Sequence, residues 1–543
     1  LKGDWLQVVI DGDLSLTLGD EAVALAAIHA GISAAFSYPG TPSTEILEYI
    51  QKADRGIIAS WSANEKTAYE HGLGLSYAGK RVLVSMKHVG LNVAADPFIN
   101  SALLPLNGGF VLAVADDPGM HSSQNEQDSR FYSDFSGIPC LEPSNQQDAY
   151  WMTREAFDLS EKFHLPVMVR LVTNLAHSRG MLRMNTPFTG KSPSFDHPTK
   201  GWVLLPAIAR KQWRALLEKM EELKVYSNSC PFNQFEEGEG PLGIVTSGMG
   251  KPYFMEHIEK LPQKPYHLHI GFYPPPEKLF RVLVETCTEL LFIEEGYPLL
   301  EKRAKGFWTN RVLIRGKLSG DLPMDGELTP DIVGEALGLD PPMNANAVMG
   351  SLVSRPPRLC DGCPHSDSCS ALKAAIEACE DVPIITTDIG CYTLAALPPF
   401  SIGETCVCMG SSIGIASGIS LASKQPAVAM IGDSTFIHSG LPGLIEVVKA
   451  NSNITVLLLD NSRVGMTGGQ QTLVQSEQLV DIVVGLGADP QHVKSIQAHP
   501  QKIREMARVI GEEIKHQGVS VIISTRECVR TAARSKQKTR NEV

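Results

Sequence analysis

At 543 residues the chain is too long for one hydrophobic core, and two to four domains are expected. With 20% charged and 43% hydrophobic residues its composition is that of an ordinary globular protein, and a net charge of −12 gives no basis for nucleic-acid binding. No apolar run is long enough to span a bilayer and no signal peptide is recognised, so neither a membrane nor a secreted protein is expected. The 11 cysteines are irregularly spaced and do not read as a disulfide framework. They read as thiols of a reducing cytoplasm, some kept for metal.

From residue 15 to 200, strand-like runs (Ala34–Phe36, Val82–Ser85, Phe110–Ala115, Val167–Leu171) alternate with helix-like segments such as Asp20–His29 and Lys66–Ala78. That alternation predicts βαβ units and a parallel sheet. In Tyr38-Pro39-Gly40-Thr41-Pro42-Ser43-Thr44-Glu45, two prolines stiffen the chain around Thr41. As plain structure it is a strand-to-helix turn with Ser43 or Thr44 as N-cap. Glu65, in Ser62-Ala63-Asn64-Glu65-Lys66-Thr67-Ala68, stands at a loop-to-helix transition, where a first-turn acid can serve as a cap. Lys87 and His88 follow a strand, and could bind a carboxylate or move protons; a solvated Lys and a satisfied His are the plain alternative. A Pro/Ser/Gly/Lys-rich stretch, 185–201, ends the block. A helical connector (201–240) leads to a smaller α/β block (241–340), then a proline-flanked linker (341–357). The last α/β block is 358–530, and 531–543 is a basic tail expected to be a frayed end.

The most informative stretch is Gly432-Asp433-Ser434 with Asn461 beyond it. Apolar runs Ala427–Ile431 and Ile454–Leu459, with a helix-like Leu441–Ala450 between them, give strand, Gly-turn, helix, strand. Hard oxygen ligands at two strand ends suit Mg²⁺ shared with a diphosphate, at the carboxyl edge where open α/β sheets bind ligands. Asp433 supplies the charge, Asn461 a side-chain carbonyl and the backbone at Arg463 a third oxygen. A surface Asp turn followed by an Asn cap is the plain alternative.

Gly-Asp-Ser…Asn resembles the thiamine diphosphate signature, and Val464-Gly465-Met466-Thr467-Gly468-Gly469-Gln470-Gln471 is similar to the Met-Thr-Gly-Gly-Gln run of 2-oxoacid:ferredoxin oxidoreductases. Ala115 to Asp128, and Cys360-Asp361-Gly362-Cys363-Pro364-His365, resemble the large (alpha) subunit of the indolepyruvate:ferredoxin oxidoreductase family. The resemblance runs from about 15 to 528, with the motifs in order. It implies two thiamine diphosphate-binding parallel-sheet domains, pyrimidine-type (15–200) and diphosphate-type (358–530), around a transketolase C-terminal-like domain (241–340). It implies that Glu65 hydrogen-bonds the aminopyrimidine and that Thr41 faces the 2-oxoacid; His88, from its place after a strand, is expected to face the same site and is counted with the catalytic group. Pro39, Gly40, Asp388, Gly390, Gly410, Gly432, Asp433, Ser434, Asn461, Thr467 and Gly468 would contact the cofactor.

Cys360 and Cys363 form a C-x2-C pair, which alone fits a turn or a zinc knuckle equally well. The family places Cys391 and Cys528 with them as ligands of a [4Fe–4S] cluster. Adding Cys369 would instead give a zinc-like C-x2-C-x5-C. Cys140, Cys230, Cys287 and Cys379 read as core or incidental thiols, and Cys406 and Cys408 as lining the cofactor site.

The activity implied is oxidative decarboxylation of an arylpyruvate with coenzyme A to arylacetyl-CoA and CO₂, electrons passing through the cluster to ferredoxin or another acceptor. A smaller gamma-type (beta) subunit and a dimer of heterodimers are implied partners. Two departures stand out. The family continues into a ferredoxin-like domain with two C-x2-C-x2-C-x3-C runs, and the sequence ends at Val543 without one. Pro-His-Ser follows Cys363 where Pro-His-Arg is common, so a basic contact and the indolepyruvate preference are in question. The alternative activity is a non-oxidative thiamine diphosphate-dependent 2-oxoacid decarboxylase; a regulatory subunit without turnover ranks behind it.

Overall fold

The structure is a computed structural model and describes residues 14–53, 56–184, 202–308, 311–340, 357–423 and 425–534. The stretch 185–201, all of the linker but its last residue, and the tail from 535 onward lie outside them. The chain divides into two compact units, Leu1–Ser351 and Leu352–Val543.

The first unit is built on a seven-stranded sheet in the spatial order Phe272–Tyr273, Cys140–Leu141, Val167–Val172, Phe110–Asp116, Val82–Lys87, Ala34–Ser37, Ile58–Trp61. All neighbours are parallel except the outermost pair at Phe272–Tyr273. The central strands are apolar along nearly their whole length and fully buried, because helices cover both faces of a parallel sheet. A second sheet takes the order Leu313–Arg315, Glu289–Ile293, Leu242–Ser247, Tyr266–Ile270, Asn233–Glu236. Leu216, Leu223, Cys230, Val245, Leu268 and Phe292 belong to the same apolar cluster as Val84 and Val114. The connector helix Pro206–Ser227 and much of the middle block therefore share one core with the first block.

A buried ionic network ties these parts together. Arg170 Nε donates to Asp116 Oδ2 at 2.6 Å, and a second guanidinium nitrogen pairs with Glu142. Arg130 pairs with Asp128 at 2.5 Å and with Glu294 at 3.0 Å, while Tyr273 donates its hydroxyl to Glu142 at 2.6 Å. Each charge is compensated, which is what makes such burial tolerable.

In the second unit a six-stranded, all-parallel sheet runs Thr405–Cys406, Ile384–Thr387, Ala427–Gly432, Ile454–Asp460, Val519–Thr525, Val493–Gln497. The helix expected at Leu441–Ala450 is present at Leu441–Lys449, but helical structure begins earlier, at Asp433–Thr435, with a π-turn over Phe436–Gly440. The expectation of a frayed tail is corrected at its start: residues 529–534 are helical, and Arg534 donates to Gly468 O at 3.0 Å. No helix of the described residues is long and apolar enough to cross a membrane.

Replacing Arg170 by Ala strands Asp116 without its buried cation and leaves Glu142 only the more distant Arg130, at 3.7 Å. A loss of about 3–5 kcal/mol is expected, read as an early unfolding transition of the first unit in thermal or urea denaturation. Adding Glu142→Gln should recover part of it.

Candidate functional site

Because the second unit's strands are parallel, their carboxyl ends share one edge. Gly432 pairs with Leu459, so Asp433 and Asp460 leave neighbouring strands side by side. Asp433 Oδ1 accepts the Ser434 N–H at 2.7 Å and Asp460 Oδ1 accepts that of Ser462 at 3.1 Å. The second oxygen of each is buried and receives no hydrogen bond. Burial, then the facing Asp460 carboxylate, drives Asp433 well above the ordinary carboxylate range. Two orphaned, buried carboxylate oxygens at this edge are a donor set for a hard divalent cation, so the residues fit Mg²⁺.

Asn461 follows directly and is engaged on all sides. Its Oδ1 accepts the Arg463 N–H at 3.0 Å, Nδ2 faces His365 Nε2 at 3.0 Å, and its carbonyl accepts the Cys528 N–H at 3.2 Å. Burial lowers His365 to about 4, so its imidazole is neutral at pH 7 and accepts the Asn461 amide proton. Asp388, pushed by burial to about 6, accepts hydrogen bonds from the Tyr392 hydroxyl and from Ser412 Oγ. A Cβ on Gly390 or Gly432 would fall 2.2 or 2.8 Å from the Tyr392 ring, so both positions need glycine for this close approach. Gly410 has a φ of +83° against the Ser439 backbone. Thr467 donates to Gln470 Oε1 at 2.7 Å within the hairpin turn that also holds Gly468.

The four cysteines singled out in the sequence come together. Gly362, at φ +73°, turns the chain so that the Cys363 N–H donates to Cys360 O at 3.1 Å. Cys363 then occupies the N-cap position of the helix Pro364–Glu377, without a side-chain capping bond. Cys391 is pushed up to about 12 by burial and then by the neighbouring thiols of Cys363, Cys528 and Cys360. A Cβ on Gly465 would stand 3.4 Å from Cys391 Sγ and 3.8 Å from Asn461 Nδ2, so the thiols adjoin the carboxylate edge. Cys369 instead lies in the hydrophobic core, and Cys406 and Cys408 are exposed. Arg526 reaches Gly362 O at 2.8 Å and Asp367 at 2.7 Å, bringing a guanidinium to the motif whose following residue is Ser366.

In the first unit, Asn64 accepts the Thr67 N–H at 2.9 Å and caps the helix Glu65–Tyr77, so Glu65 is not needed as the cap. Glu65 is buried, and a Cβ on Gly90 would lie 2.6 Å from its Cγ and Oε1; the missing side chain gives the carboxylate its room. In the Thr41 loop, Ser43 occupies the N-cap position without capping; it donates to Gly40 O at 2.8 Å, while Thr44 Oγ1 accepts from the Gly40 N–H at 3.0 Å. Ser122 Oγ donates to Thr41 O at 3.1 Å and receives Lys87 Nζ at 3.0 Å. Burial lowers Lys87 to about 8 despite Asp117 at 3.8 Å. His88 is buried, its ring nitrogens make no hydrogen bond, and burial holds it below its ordinary value. Asp460, His365 and Tyr392 were not singled out in the sequence; only adjacency to Asn461, Cys363 and Cys391 pointed to them.

Asp433→Asn should stabilise the metal-free chain by about 1–3 kcal/mol, the scale of an unsatisfied buried group. A raised carboxylate penalises the fold only once ionisation is demanded. The advantage is therefore absent in acid, grows as pH rises past the ordinary carboxylate value, and is full above Asp433's raised one. Thermal scans against pH, with and without Mg²⁺, check this; added Mg²⁺ should stabilise only the unsubstituted chain.

Residues 25–188 match the family described as pyruvate flavodoxin/ferredoxin oxidoreductase, thiamine diP-bdg, and residues 388–524 match thiamine pyrophosphate enzyme, C-terminal TPP binding domain. The indolepyruvate oxidoreductase subunit IorA of Archaeoglobus fulgidus is 36% identical over 97% of this chain and 88% of its own length. That of Methanothermobacter thermautotrophicus is 36% identical over 96% and 87%. A solved 2-oxoglutarate:ferredoxin oxidoreductase from Magnetococcus marinus shares the fold, with a TM-score of 0.50 at 18% identity over 60% of this chain and 66% of its own. With its α/β fold, its two thiamine diphosphate-binding domains and these relatives, the chain belongs to the indolepyruvate oxidoreductase subunit IorA family of thiamine diphosphate-dependent 2-oxoacid oxidoreductases.

Proposed function

We propose that this chain oxidatively decarboxylates an arylpyruvate with coenzyme A and passes the electrons through a [4Fe–4S] cluster to ferredoxin or a similar acceptor. The observation that carries this reading is the meeting of four cysteines beside the Asp433–Asn461 edge. Zinc bonds of about 2.3 Å hold tetrahedral sulfurs about 3.8 Å apart. Among the described residues, no three cysteine thiols lie within 4.8 Å of one another. A four-iron cube, with one thiolate per corner, takes the wider set.

Thiamine diphosphate, when bound, supplies the nucleophile and electron sink that decarboxylation of a 2-oxoacid needs. Asp433, the Asn461 side chain and the backbone at Arg463 would hold Mg²⁺ with the diphosphate. For Asn461 this requires Oδ1 to leave the Arg463 N–H, and its amide pairing with His365 fixes which way the side chain turns. Glu65 is assigned to the aminopyrimidine, holding the proton that the cofactor must exchange. Thr41 and Lys87 are assigned to the substrate carboxylate. The Lys87 ammonium is already oriented by Ser122 and Asp117. His88, neutral and buried, can accept or return a proton. The complete enzyme would be a dimer of heterodimers with a smaller gamma-type subunit, in a reducing cytoplasm that keeps the thiols free for iron.

Anaerobic purification should give about four irons and matching acid-labile sulfide per chain, with a visible band bleached by arylpyruvate plus coenzyme A once the smaller subunit is present. Cys391→Ser should remove the band. An iron-free protein that releases aldehyde would move the non-oxidative decarboxylase ahead.

Glu65→Gln should lower kcat by about 10²–10⁴, the range of a lost general acid–base group. Thiamine diphosphate binding, followed by tryptophan fluorescence, should survive. Equal kcat in the two proteins would remove Glu65 from its role.

A further inference from the structure

The helix Gly19–His29 begins against the short helix Thr173–His177, closely enough that a Cβ on Gly19 would stand 2.2 Å from Leu175 O. That approach brings Asp20 to His177, and both to Glu45 in the first turn of Thr44–Lys52. One ligand atom from each of the three lies within 4.8 Å of the others. Asp20 has no exposed surface, and neither of its carboxylate oxygens receives a hydrogen bond. The cap of its own helix is made elsewhere: the Leu18 N–H donates to Glu21 Oε2 at 2.9 Å. Glu45 Oε2 forms a long ion pair with His177 Nε2 at 3.5 Å, and that pairing holds Glu45 below and His177 above their ordinary values. His177 is exposed, which leaves the cluster open to solvent on that side.

We propose that Asp20, Glu45 and His177 bind a divalent transition cation, Mn²⁺ or Zn²⁺. One imidazole nitrogen with two carboxylates is a mixed donor set that favours such ions over Ca²⁺ or Mg²⁺, which take all-oxygen shells. Metal bonds of about 2.0–2.2 Å need the three donors to close slightly, and the partly exposed Glu45 and His177 are the side chains with room to move. Water completes the shell from the His177 side. Glu45 ends the Tyr38–Glu45 segment that carries Thr41, so the cation pins that loop to the N-terminal helix. The competing occupant is a proton shared between Asp20 and Glu45. Burial, then the Glu45 charge, raises Asp20 well above its ordinary value, as such sharing would require.

Mn²⁺ is the probe, because the chain's thiols would take up Zn²⁺. The full chain, stripped with chelator, is titrated with Mn²⁺ and the free ion is read by EPR; the bound ion is examined for coupling to an imidazole ¹⁴N. The expected result is one bound Mn²⁺ with that coupling, retained in Asp433→Asn, which removes the Mg²⁺-type site. His177→Ala, a surface change, should weaken binding at least tenfold and abolish the coupling, and Asp20→Asn should weaken it similarly without loss of fold by circular dichroism. Mn²⁺ binding that is unchanged in His177→Ala, or that disappears entirely in Asp433→Asn, would overturn the proposal and leave the shared proton.

Discussion

Two carboxylates that leave adjacent parallel strands cannot both be ionised in a dry site without a cation between them. Asp433 and Asp460 impose that constraint on the second unit. The register that pairs Gly432 with Leu459 places them side by side, and burial removes the water that would otherwise screen them. Their surroundings do not relieve the repulsion. Ser434 and Ser462 each satisfy one oxygen, and the glycines at 390 and 432 let the Tyr392 ring close the floor of the site. Burial and the facing Asp460 carboxylate therefore raise Asp433 well above its ordinary value, a cost that a cation at this edge would remove.

Asn461 makes that edge continuous with the cysteines. Its backbone carbonyl accepts the Cys528 N–H, its amide meets His365 two residues after Cys363, and its Nδ2 and the Cys391 sulfur flank Gly465. A change of charge at the thiols therefore reaches the carboxylate edge through one residue rather than through a long relay.

Much of this was legible in the sequence because the site residues stand where apolar runs stop. Each strand continues past its apolar run: Ala34–Ser37 ends on Ser37, Val82–Lys87 on Lys87, Phe110–Asp116 on Asp116, Ile454–Asp460 on Asp460. The backbone ladder carries on while the side chain turns to the ligand edge, so hydrophobic periodicity finds the strand and understates its end. What could not be read is what depends on register or on distant packing. That Asp460 faces Asp433 follows from strand pairing. That Arg526 supplies a guanidinium near Ser366 follows from a chain return of 160 residues. The π-turn at Phe436–Gly440 has no signature in residue spacing, and the helix after Cys528 looked like a basic tail because its packing against Gly468 and Gly469 is invisible in composition.

The chain satisfies its buried carboxylates in contrasting ways, and the contrast separates scaffold from site. Asp116, Asp128, Glu142 and Glu294 are met by Arg130 and Arg170, cations that the chain itself provides. Arginine is suited to that role because its fork can answer several oxygens at once and does not lose its proton. Among the described residues, no such guanidinium answers the orphan oxygens of Asp433 and Asp460, or those of Asp20. A fold that can place two arginines in the middle of one unit could have placed one at either of these positions. Leaving the charge unanswered costs stability, a cost that a retained proton or a cation from outside would lower, and burial accordingly raises both Asp433 and Asp20.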